Sequence, residues 1–123
     1  MAEIKHYPLL QSFRFAFRGI TEAIKSERNL KIHLVMALLA ILLGLIVGLT
    51  RIEWAIIVLV IFVILAAELF NSAIEGICNL LKEENNLDYE KTRLVRDISA
   101  GTTLLLAIAS VIIAIFVYLP YFL

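Results

Sequence analysis

Residues 54–67, WAIIVLVIFVILAA, run without a charge into Glu68-Leu69-Phe70-Asn71-Ser72-Ala73-Ile74-Glu75. The apolar part reads as membrane-embedded helix: it lacks the alternation of a strand, and hydrocarbon offers the backbone no hydrogen-bond partner. The polar part then needs a reason to be there. At about 100° per residue on a helix, Asn71 falls about 60° from Glu68, Ser72 about 40° and Glu75 about 20°, so the four share one stripe. An ionisable group at membrane depth costs on the order of 2.5 kcal/mol or more, and such groups face protein or water and mark function. The stripe is where the sequence concentrates its chemistry.

Outward from it, the rest of the chain is equally apolar. Of 123 residues, 62% are hydrophobic, and the mean hydropathy is +0.95, too high for a soluble domain of this size. Three stretches, at about 30–50, 54–81 and 97–121, meet the roughly 20 residues that a membrane-crossing helix needs. Leu9, Leu10, Phe13, Phe17, Ile20 and Ile24 recur at helical spacing, with Arg14, Arg18, Glu22 and Lys25 on another face, which predicts an amphipathic surface helix over about 8–26. The expected fold is all-α: one integral membrane domain over 1–123, with three transmembrane helices and an N-terminal surface helix. Residues 49–53 are too few for anything but an antiparallel turn between the first two spans. The polar run 82–89 reads as the end of the second span and a loop. No cleavable leader is expected before the first span. Cys78 is the sole cysteine, so no internal disulfide or cysteine metal cluster is possible, and a small buried or interfacial thiol is expected. His6 and His33 have no metal-binding pattern and read as interfacial.

The formal net charge of zero conceals an asymmetry. Lys5, Arg14, Arg18, Lys25, Arg28 and Lys31 precede the first span, and Lys82, Lys91, Arg93 and Arg96 lie between the second and third, whereas Arg51 stands alone in the other connection. The positive-inside rule then predicts a cytoplasmic N-terminus and an outward C-terminus. Counted from residue 54, Glu68 lies about 21 Å along its helix and Glu75 about 10 Å further. Glu27 reaches a comparable depth if the first span continues back to it, and Asp97 opens the third span on the same side. Glu27, Glu68, Glu75 and Asp97 are therefore expected in one cytoplasmic interfacial layer.

Such a layer suits phosphoryl transfer, which needs positioning, a base for the attacking hydroxyl and cations on the transferring group. A partly desolvated Glu68 suits the base, and Glu27 and Glu75 suit Mg2+, which is often held by one or two carboxylates plus phosphates. Neither a P-loop nor a Gly-x-Gly-x-x-Gly motif is present, so any nucleotide site is unconventional. The rival of another class is a small oligomeric channel or proton pathway lined by Glu68 and Asn71. It requires polar residues along the whole span, and residues 54–67 supply none.

The run Glu68-Leu69-Phe70-Asn71-Ser72-Ala73-Ile74-Glu75 closely resembles the signature of the bacterial diacylglycerol kinase family, small three-span enzymes with a surface helix and a trimeric assembly. Glu27 before the first span, the Arg96-Asp97 pair, the length and the topology match, so the resemblance covers nearly the whole chain. Glu27-Arg28-Asn29-Leu30-Lys31-Ile32-His33 is similar to the Gram-positive branch, whose members phosphorylate undecaprenol rather than diacylglycerol; diacylglycerol phosphorylation to phosphatidic acid by the same site is the alternative, since no residue decides between two lipids that present a primary hydroxyl at the same depth. The resemblance implies that Glu68 is the catalytic base and that Asn71 fixes the reacting groups. It implies that Glu27 and Glu75 bind the Mg2+ of MgATP and that Arg96 and Asp97 contact the nucleotide. It also implies a homotrimer in the bacterial cell membrane, acting on a lipid alcohol and ATP, with no nucleic acid as partner. The chain departs from the pattern in three places: arginine at 96 where lysine is usual, Asn79 where the signature ends in aspartate, and Phe70 where it prefers an aliphatic residue. Asn79 by itself reads as a helix-end residue.

Overall fold

The computed structural model describes residues 6–123; Lys5, counted above among the basic residues, lies outside them. The elements in chain order are α1 (Leu9–Ser26), α2 (Arg28–Val47), α3 (Arg51–Asn85), α4 (Tyr89–Tyr118) and a 3-10 turn (Leu119–Phe122). The described residues contain no strand. α2, α3 and the unit of α4 with its terminal turn are each long and apolar enough to cross a membrane.

α1 buries none of its residues, so Leu9, Leu10, Phe13 and Phe17 stay exposed, as an interfacial helix requires. It stops at Glu27, whose extended backbone (φ −103°, ψ 115°) serves as C-cap of α1 and N-cap of α2. The first span therefore does not continue through Glu27. The residue sits at the joint of the surface helix and the first membrane helix.

α2 ends at Gly48, which adopts the left-handed conformation (φ 76°) that glycine enters without steric penalty. The N–H groups of Gly48 and Leu49 both donate to the Gly44 carbonyl, at 3.0 and 3.2 Å. Two residues later Thr50 caps α3. The Glu53 N–H donates to Thr50 Oγ1 at 3.2 Å and the Thr50 N–H to Glu53 Oε1 at 2.9 Å, a reciprocal capping box. The hairpin closes tightly because Gly44 has no side chain: a Cβ there would stand 2.7 Å from Trp54 Cη2.

The buried apolar core lies at this hairpin end, built on Leu49, Ile57, Val117 and Tyr118. Tyr118 donates its hydroxyl to the Ala40 carbonyl at 2.6 Å, tying α4 to α2, and the Tyr121 hydroxyl donates to Glu53. The longest pairing is α3 with α4. Elsewhere the bundle is thin, and only 11% of each span's apolar window is buried.

The run 82–89 is mostly helical. α3 continues to Asn85, and α4 begins at Tyr89 after Asp88 accepts the Lys91 N–H at 3.1 Å. Asn86 turns the chain in the left-handed conformation (φ 52°). Hydropathy reports where hydrocarbon ends, and a helix is free to continue into water when nothing breaks it. Consequently Asp97 lies inside α4, two turns past its start.

Candidate active site

α3 carries the polar stripe at the end of the bundle opposite the core. Glu68 is 4% exposed and Asn71 7%; Glu75, one turn on from Asn71, is half-buried. Asn71 Nδ2 donates to Glu75 Oε1 at 3.3 Å, which fixes the amide orientation. The other amide atom, Oδ1, is buried and has no hydrogen-bond donor. Such an orphan costs on the order of 1–3 kcal/mol unless something satisfies it, and a substrate or a neighbouring chain is able to do so.

Glu68 is not alone. Its Oε1 lies 3.2 Å from Nε2 of His33 on α2. The sequence reading leaves His33 without a partner, yet a signal existed. Fifteen residues separate His33 from Gly48 and fifteen separate Glu53 from Glu68, so an antiparallel hairpin with arms of equal length sets the two side chains opposite each other.

Glu27 lines a cleft between α1 and α3 together with Ser72 and Ala73, which brings it to the stripe from the surface side. On the opposite flank Asn71 joins Phe70, Ser99 and Thr102 in an apolar groove of about 510 Å3 between α3 and α4. Arg96 is held from three sides: Nε donates to Thr92 Oγ1 at 3.1 Å, Nη2 donates to Asn79 Oδ1 at 2.9 Å, and the guanidinium lies 5.1 Å from the Tyr89 ring centroid. Asn79 is thus mid-helix and a partner of Arg96, not a helix-end residue. Two positions at which the chain departs from the pattern it resembles are bonded to each other. Asp97 is exposed beside Arg96.

The four carboxylates share one end of the molecule but do not cluster. Among the described residues no three of His, Cys, Asp or Glu are grouped closely enough to hold a metal ion. One chain therefore offers a divalent cation one or two carboxylates and no closed cage. That donor set fits a magnesium ion whose remaining oxygens come from nucleotide phosphates and water.

A three-span helical bundle with a surface helix and a buried carboxylate toward one end defines a small membrane protein with its polar side chains gathered at that end. Comparison with known proteins gives its family. The model of the prokaryotic diacylglycerol kinase family matches residues 14–118, and the chain belongs to that family. It is 34% identical over 110 residues to the undecaprenol kinase of Bacillus subtilis (strain 168), covering 89% of this chain and 87% of that one. It is 32% identical over 112 residues to a diacylglycerol kinase of Synechocystis sp., covering 91% of this chain and 63% of that longer protein. No solved structure matches. The protein is a bacterial membrane lipid kinase, and such an enzyme takes its phosphoryl group from ATP.

Proposed function

We propose that the protein transfers the terminal phosphate of MgATP to undecaprenol, with Glu68 as general base. The observation that carries the mechanism is the burial of Glu68 at the end of an otherwise apolar run, a place suited to a lipid hydroxyl and shielded from bulk water. The hydroxyl oxygen attacks the γ-phosphorus as its proton passes to the Glu68 carboxylate. The bond from that phosphorus to the β,γ-bridging oxygen breaks, ADP leaves, and Glu68 later releases the proton to water. Asn71, locked by Glu75 through Nδ2, has Oδ1 free to orient the reacting groups. Glu27 and Glu75 would hold the magnesium ion, which would supply positive charge to offset that on the transferring phosphoryl group. Arg96 and Asp97 contact the nucleotide.

Undecaprenol is favoured over diacylglycerol by the match to the Bacillus subtilis undecaprenol kinase, which covers nearly all of both chains. Diacylglycerol is the second reading, supported by the Synechocystis relative. The basic-residue asymmetry supports a cytoplasmic N-terminus and an outward C-terminus. The small buried share of each span supports association with further copies, and the family resemblance makes that assembly a homotrimer. The test of substrate is turnover by the purified protein with MgATP against each lipid alcohol. A kcat/KM at least about tenfold higher for undecaprenol, equivalent to about 1.4 kcal/mol, is expected. Equal values, or a preference for diacylglycerol, contradict the assignment. The test of the metal ligands is a magnesium titration: Glu27→Gln and Glu75→Gln each raise the half-saturating concentration, and unchanged titrations remove them from that role.

A further inference from the structure

Beyond Arg28, Asn29 and Lys31, α2 carries a single polar side chain, His33, and everything from 34 to 47 is apolar. On α3 nothing polar precedes Glu68 back to Trp54. The deepest polar residue of each helix therefore meets the other across the hairpin, with Nε2 and Oε1 3.2 Å apart and both side chains mostly covered, at 23% and 6% exposure. Neither residue is among those assigned to magnesium. With Glu68 acting as the base its carboxylate only accepts, so a hydrogen bond across this gap is one donated from Nε2. Such a bond would occupy Oε1 and fix the carboxylate plane, leaving Oε2 for the incoming hydroxyl. The same imidazole lines one end of a mostly apolar cleft of about 250 Å3 between α2, α3 and α4, continued by Ile64, Ala107, Ser110 and Tyr118. An apolar chain in that cleft would carry its hydroxyl end to the pair.

We propose that His33 is the positioning residue of Glu68: it sets which carboxylate oxygen meets the lipid hydroxyl and holds it in line. The inference rests on the reading of Glu68 as the base. Misplacing a reacting group by about 1 Å costs on the order of 100-fold in rate, so the loss is one of turnover and not of binding. The experiment measures kcat and KM for undecaprenol and MgATP in the wild type, His33→Leu, His33→Gln and Glu68→Gln, with thermal unfolding of each in detergent. Glutamine places an N–H donor near the position of Nε2, and leucine supplies none. The expected result is a kcat lowered about tenfold or more in His33→Leu, with both KM values within about threefold, and recovery by His33→Gln to at least about a third of the wild-type kcat. A wild-type kcat in His33→Leu overturns the proposal, as does a loss that glutamine fails to restore. If His33→Leu does not assemble, His33→Gln decides alone, and a kcat below about a third of wild type overturns it. Glu68→Gln separates the two claims. Wild-type turnover there removes the base itself, whereas an inactive Glu68→Gln beside a fully active His33→Leu leaves the base in place and removes only the role of His33.

Discussion

At the scale of single residues, the site is a balance between what lipid burial costs and what partners return. Glu68 inside the bundle has the His33 imidazole 3.2 Å from its carboxylate, and Asn71 is half satisfied by Glu75. Replacing Glu68 with Gln removes the proposed base but keeps the shape. Turnover should fall about 100-fold or more with ATP affinity retained, as measured by steady-state kinetics beside equilibrium nucleotide binding; activity within about threefold of wild type would exclude the role. Arg96 is organised by Asn79, Thr92 and Tyr89. Asn79→Leu should raise the KM for ATP about threefold with little change in kcat, a modest effect because a solvent-accessible hydrogen bond is worth about 1 kcal/mol. An unaltered KM would separate Asn79 from the nucleotide. The stripe Glu68-Asn71-Glu75 was legible in the sequence because its members lie on one helix and obey its period. His33 was legible only through the equal arms of the hairpin and Asn79 not at all, since each acquires meaning from a partner on another helix, 35 and 17 residues away along the chain.

At the scale of elements, the hairpin of α2 and α3 sets the register that pairs His33 with Glu68. Its closure depends on Gly44 against Trp54 and on the Thr50–Glu53 box. Gly44→Leu should force the helices apart at the turn, lowering stability by about 1–3 kcal/mol and reducing turnover at the far end through lost register. Thermal unfolding in detergent, paired with an activity assay, checks both; unchanged stability would mean that the contact is not what closes the hairpin. The spans themselves were legible from hydropathy, and the turn from its length. The helix limits were not. The residues from Lys82 to Asn85 are polar but carry no proline or glycine, so α3 runs on through them, and the joint at Glu27 bears no strong breaker in sequence. The Thr50-x-x-Glu53 spacing was a visible capping signal that composition alone passes over.

At the scale of the whole molecule, a single copy leaves most of its spans to lipid or neighbours, and the buried core lies at the end away from the carboxylates. The carboxylate end is thus the part with most to gain from association, which in membranes relies on close packing and interhelical polar bonds. If one site draws Glu68 and Asp97 from different chains, co-assembling Glu68→Gln with Asp97→Asn protomers should restore part of the activity that each lacks alone. Mixed oligomers that co-purify and stay inactive would assign the site to one chain. Orientation is checked by cysteines at positions 51 and 84 in a Cys78→Ser background: an impermeant reagent should label 51 but not 84 in intact cells, and the reverse would invert the topology. The account turns most directly on where the phosphate goes. In vesicles containing undecaprenol and ATP labelled in its terminal phosphate, the wild-type protein should move the label into the lipid and Glu68→Gln should not. Label left in ATP or released as inorganic phosphate, or equal transfer by the two proteins, would contradict a lipid kinase working through Glu68.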